Sequence, residues 1–97
     1  MIVSIHKKDD RTVVSIVDDD IIDKKFLDGD KQLDLTAEFY KGKKVSDSEA
    51  GDLLRNSNIV HLVGKNSVKL GIDEGIITEE NIVVIAGIPQ AQAVVFD

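Results

Sequence analysis

Ile82-Val83-Val84-Ile85-Ala86-Gly87-Ile88-Pro89-Gln90-Ala91-Gln92-Ala93-Val94-Val95-Phe96-Asp97 is the stretch whose reading decides the fold: one apolar run, Ile82 to Ile88, meets the only proline, and a second follows from Ala91 to Phe96. Near-continuous Val and Ile is what a strand buried on both faces needs, since neither face meets water. Gly87 and Pro89 are expected to end that strand and turn the chain. Upstream, Ile59 to Val63 has the same composition. Between the two runs Gly64 opens a helix through Asn66 to Glu74, with Val68 and Ile72 on one face, and Gly75-Ile76 reads as its stop. Strand, helix, strand over about thirty residues predicts a C-terminal βαβ unit whose two strands are parallel, close together and interior to the sheet.

Working outward, Ile2 to Lys8 and Thr12 to Val17 are β-branched runs separated by Asp9-Asp10-Arg11, an N-terminal β-hairpin. Asp18-Asp19-Asp20 before Ile22 and Phe26 suits a short helix, the aspartates facing its positive end and Gly29 its left-handed terminus. Gln32 to Leu35 reads as a short strand, and Phe39-Tyr40 as the anchor of a loop or edge strand running to Val45. Ser46-Asp47-Ser48-Glu49 is a capping box, with Val45 and Ala50 as hydrophobic staple, and it predicts a helix over Asp47 to Arg55. The expected fold class is therefore α+β: a two-layer single domain over residues 1–97, its mixed sheet covered by helices mainly on one face.

Ninety-seven residues suffice to bury a core without a disulfide or structural metal. Cysteine is absent, which excludes zinc sites built on thiolates. The N-terminus turns charged at Lys7, too early for a signal peptide, and no apolar run approaches the roughly eighteen residues of a membrane helix, so a cytoplasmic protein with no membrane partner is the expectation. The formal charge of −6 opposes general attraction to phosphate backbones. It is uneven: residues 1–48 carry −2 with nine of the twelve Lys and Arg, and residues 49–97 carry −4.

Four groupings invite chemistry. Gly64-Lys65-Asn66 stands between a buried strand and a helix N-terminus, where free amides and the dipole favour an anion, and Gln90 and Gln92 are placed to complete a polar pocket there. The loop is no Walker A motif, since Ile59 occupies the position of its first glycine; a tight turn and a helix cap account for these residues more simply. Tyr40-Lys41-Gly42-Lys43-Lys44 is the basic-aromatic grouping, able in principle to hold RNA phosphates while a ring stacks on a base, though a lysine-protected sheet edge accounts for it more simply. His6 and His61, with Asp18, Asp19 or Asp20, would need adjacent strands to bind a metal; no ligand spacing supports that, and no metal or cofactor is implied. The aspartates fail the calcium-loop pattern from either Asp18 or Asp28. Without a cysteine, a serine elbow or a histidine beside an acid, no catalytic residue is assigned.

Met1-Ile2-Val3-Ser4-Ile5-His6, the turn leading to Lys25-Phe26, Glu38-Phe39-Tyr40, Asn58-Ile59-Val60-His61-Leu62-Val63-Gly64 and Gly87-Ile88-Pro89-Gln90-Ala91-Gln92, in that order, resemble the archaeal domain-of-unknown-function family 424 over essentially the whole chain. The resemblance implies a small archaeal α+β protein and no transferable activity. Where the family often has histidine, this chain has Gln90, so a proton-transfer or metal-binding role for that histidine does not carry over to it. The sequence thus points to a non-enzymatic binding or accessory module for a protein or ribonucleoprotein partner, with a small-anion or nucleotide-binding protein using the Gly64 loop, catalytic or not, as the alternative.

Overall fold

The computed structural model describes residues 1–96. Strands β1 (Ile2–Lys8) and β2 (Arg11–Val17) form the expected hairpin, turned by Asp9 and Asp10 at φ 51° and 66°. Two successive positive φ values are the signature of a type I′ turn, and aspartate is among the few side chains that tolerate them. β3 (Lys25–Asp28) and β4 (Lys31–Asp34) make a second, separate hairpin through Gly29. β5 (Lys43–Lys44) leads into α1 (Asp47–Arg55), β6 (Ile59–Val63), α2 (Lys65–Asp73), β7 (Ile82–Ile85) and β8 (Ile88–Val94). The main sheet has the order β5-β1-β2-β6-β8-β7, with β2 and β6 parallel and the other pairs antiparallel.

The register sorts side chains onto two faces. Val3, Val14, Ile16, Val60, Leu62 and Ala91 face the helices, where they pack with Ala50, Leu54 and Val68. Each Val, Leu or Ile buried this way contributes about 1.5–3 kcal/mol. α1 starts where the sequence places it, on the forward half of the capping box alone: the Glu49 amide donates to Ser46 Oγ at 3.1 Å, and Val45 and Ala50 are both buried. The opposite face carries Ser4, His6, Ser15, His61, Gln90 and Gln92. At one end it is covered by the β3–β4 hairpin, whose Leu33 and Leu35 bury against Val17 and Val63 with Phe26, Ile85 and Ile88.

Two expectations require correction. The segment after Asp18 is a turn and then the β3–β4 hairpin, with no helix; Ile22 and Phe26 do share a cluster, but across a strand. Gly29, at φ 63°, turns that hairpin instead of ending a helix. Ile82–Ile88 is two strands, because Ala86 and Gly87 (φ 54° and 78°) fold the run back on itself with Ile85 opposite Ile88. Pro89 lies within β8, one residue beyond the last β6–β8 pair, where its missing N–H costs the ladder nothing. The βαβ unit survives with β8 inserted: β7 runs parallel to β6 as a second neighbour, and forms the sheet edge instead of its interior.

Candidate functional site

Four of the sequence landmarks meet on the face away from the helices. The 3-10 turn Glu38–Tyr40 is tied to β1 through the Phe39 carbonyl, which accepts from Ser4 Oγ at 2.7 Å and from His6 Nε2 at 2.8 Å. A carbonyl only accepts, so the proton on His6 sits at Nε2. The Phe39 ring stacks on His6 at 4.5 Å, Tyr40 meets Phe39 edge-on at 5.2 Å, and both rings reach His61, at 5.9 and 5.7 Å. His6 and His61 therefore sit on either side of one aromatic pair, on strands separated by β2. Among the described residues no group of three His, Cys, Asp or Glu converges to hold a metal. Also among them, two buried side-chain atoms have no hydrogen-bond partner, Ser15 Oγ and His61 Nε2, and these residues are register partners on β2 and β6. Burial pushes the His61 imidazole below its ordinary value, with the Gln90 side chain acting the other way.

The Gly64 loop has a different occupant from the one its spacing suggests. Asp18, only 5% exposed, reaches across from the end of β2 and accepts from the amides of Asn66 (Oδ2, 3.0 Å) and Ser67 (Oδ1, 2.8 Å) and from Ser67 Oγ (2.7 Å). The chain supplies its own carboxylate to the α2 N-terminus. Gly64 is required for this: at φ 110° a Cβ would lie 2.3 Å from Asp18 Cγ. The amide of Gly64 donates to the Pro89 carbonyl at 2.8 Å, so the two loops line one cleft of about 180 Å³ with Lys65 and Asn66. Gln90 and Gln92 do not line it; they lie on the aromatic face beside Val63 and His61.

Two of the three lysines of the basic grouping are engaged in ion pairs. Lys41 pairs with Glu38 at 3.1 Å and Lys44 with Asp19 at 3.0 Å, and Asp19 also holds the N-terminal ammonium at 2.7 Å. Those two cations hold the Asp19 carboxyl below its usual value. Tyr40 is half-buried against the second cluster, and burial raises its phenol. Gly42 is there for closeness: a Cβ would stand 1.9 Å from the Val3 carbonyl, which lets Lys43 and Lys44 run beside β1 as the sheet edge.

The two edges of the sheet are unlike. β5 presents lysines, the usual protection against edge pairing. β7 presents Val83 and Val84, 53% and 56% exposed, and holds no charge, proline or bulge. With Ile85 and Ile88 flanking a two-residue turn, they form the bonded pair, and the Val84–Pro89 pair is unbonded. The N–H and C=O of Val84 and the C=O of Ile82 therefore point outward; the Ile82 N–H is taken by Glu79, and the Ala86 N–H by Asp28 at 2.9 Å. Beside this edge, on the aromatic face, Asn81, Val83, Gln90, Ala91 and Gln92 line a hollow of about 270 Å³. Nothing in the composition of Ile82-Val83-Val84-Ile85 separates an edge strand from a buried one; the signal available was Gly87 inside the apolar run, which marks a fold-back.

A family model described as "Protein of unknown function (DUF424)" matches residues 6–96. No curated protein matches the chain. A crystal structure of an uncharacterized conserved protein from Methanopyrus kandleri is similar at a TM-score of 0.80 and 21% identity, over 98% of this chain and 90% of that one, a likeness of fold.

Proposed function

We propose that the chain, which belongs to the DUF424 family, is a binding module that takes a protein partner by strand addition at β7. The observation that carries this reading is the contrast between the edges: one is lined by lysines, the other directs three backbone groups away from β8 and exposes two valines. Main-chain bonds to Val84 and Ile82 give affinity. The hollow beside Val83, with the Gln90 and Gln92 amides in its lining, takes one side chain of the added strand and gives selectivity. The anion alternative is less supported, because an anion at the Gly64 loop must displace Asp18 from the amides it would use. The RNA reading is weakened in the same way by the ion pairs on Lys41 and Lys44.

The test uses extended peptides selected from a display library against the wild-type protein and measured on two variants. Val84→Pro removes the outward N–H while leaving the β7–β8 ladder intact, since the Val84–Pro89 pair is unbonded; Val84→Thr keeps the N–H. Peptides should bind the wild type and Val84→Thr, and lose at least tenfold on Val84→Pro. Equal binding to all three would refute strand addition at β7.

A further inference from the structure

Acidic residues frame β7 at both of its ends. Glu79 and Glu80 occupy the 3-10 turn directly before β7, both exposed, and neither forms an ion pair among the described residues. That turn is fixed: the Thr78 N–H donates to Asn81 Oδ1 at 2.8 Å and the Asn81 N–H to the Thr78 carbonyl at 3.0 Å. The acids are thus held at the N-terminal end of the edge. At the other end the tip of the β3–β4 hairpin leans on Ala86 through Asp28, with Asp30 in the exposed turn; Lys31, opposite Asp28 in the register, offsets one of these charges. The edge is therefore apolar and uncharged in its middle and negative at both ends, with formal charges of −2 and −1.

We infer that the partner segment is an extended strand with an apolar centre and Lys or Arg at its flanks, an inference that rests on the strand-addition reading. Basic flanks meet acids whichever direction the added strand runs, so the charges fix composition before they fix polarity. The same frame excludes a second copy of this chain. Antiparallel self-pairing would set Glu79 and Glu80 of one copy beside the Asp28–Asp30 tip of the other, twice over, and parallel pairing would set Glu79 and Glu80 beside themselves. Like charges so placed oppose association, which is how an otherwise sticky valine edge stays monomeric while admitting a cationic partner.

The experiment uses the full chain and three synthetic peptides sharing one alternating Val/Thr core, flanked by lysine pairs, serine pairs or glutamate pairs, followed by amide chemical shifts at low and high salt. The lysine-flanked peptide should bind about tenfold more tightly than the serine-flanked one at low salt, the glutamate-flanked one more weakly still, and the differences should shrink toward unity near 1 M salt, where screening acts within about 3 Å. Glu79→Gln with Glu80→Gln should remove most of the lysine preference. Equal binding by all three peptides at the β7 amides would overturn this inference while leaving strand addition standing. No shifts at β7 with any of them would overturn the strand-addition reading itself. Sedimentation should show a monomer; a dimer that Val84→Pro dissolves would overturn the exclusion of self-pairing.

Discussion

Removing the Asp18 carboxylate should be among the most damaging single changes outside the apolar core. Asp18→Ala strips three hydrogen bonds from the start of α2: those from the Asn66 and Ser67 amides and from Ser67 Oγ. The hydroxyl can rotate, and the Asn66 amide lies near the surface, but Ser67 is fully buried, so its amide is stranded. A stranded buried donor costs about 1–3 kcal/mol and a lost cap about 0.5–2 kcal/mol, which together give roughly 3 kcal/mol. Against a total stability of order 5–15 kcal/mol this is large, and in urea melts with a slope near 1.5 kcal/mol/M it lowers the midpoint by about 2 M. Gly64→Ala attacks the same contact from the other side, adding strain of about 1–3 kcal/mol at φ 110° to the clash with Asp18 Cγ. The clash disappears when Asp18 is alanine, so the two costs should fall short of additivity by about 1–3 kcal/mol. Asp18→Ala also frees the anion position: inorganic phosphate should stabilise this variant and leave the wild type unmoved. Additive costs, a loss under about 0.5 kcal/mol, or equal phosphate stabilisation of the wild type would refute the reasoning.

Ser46→Ala should cost about 1 kcal/mol in denaturant melts through the lost bond to the Glu49 amide. His61 has a folded pKa below its ordinary 6.5, so the unfolded state takes up the proton first and stability falls as pH drops below that value. His61→Gln should remove that part of the acid slope in melts followed from pH 7 to about 5. Single-stranded RNA should show no salt-dependent binding, because Lys41 and Lys44 are already paired; low-salt binding that flattens when Lys41, Lys43 and Lys44 are replaced together would restore the RNA reading.

The parts of the fold legible in the sequence were those fixed by local chemistry. The Ser46 cap, the Asp9-Asp10 turn and the Ile59–Val63 strand each carry their signal within a few residues. What escaped was long-range. Aspartate at a helix start was the right chemistry for Asp18, but the helix is α2, whose Asn66 amide lies 48 residues on, a pairing that only the parallel β2–β6 contact creates. Likewise His6, Phe39, Tyr40, His61, Gln90 and Gln92 stood out separately along the chain, while their assembly on one face depends on strand order. The exposed valines of β7 were read as buried because edge and interior differ in neighbours, and composition records only the residues themselves.

Strand addition at β7 is tested most directly by hydrogen exchange at the Val84 amide, measured with and without the lysine-flanked peptide. The outward N–H of Val84 should exchange rapidly in the free protein and become protected by at least tenfold when the peptide is bound, while the amides of the β5 edge stay unchanged. A Val84 amide already protected in the free protein, or one left unprotected by a peptide that binds, would contradict the account.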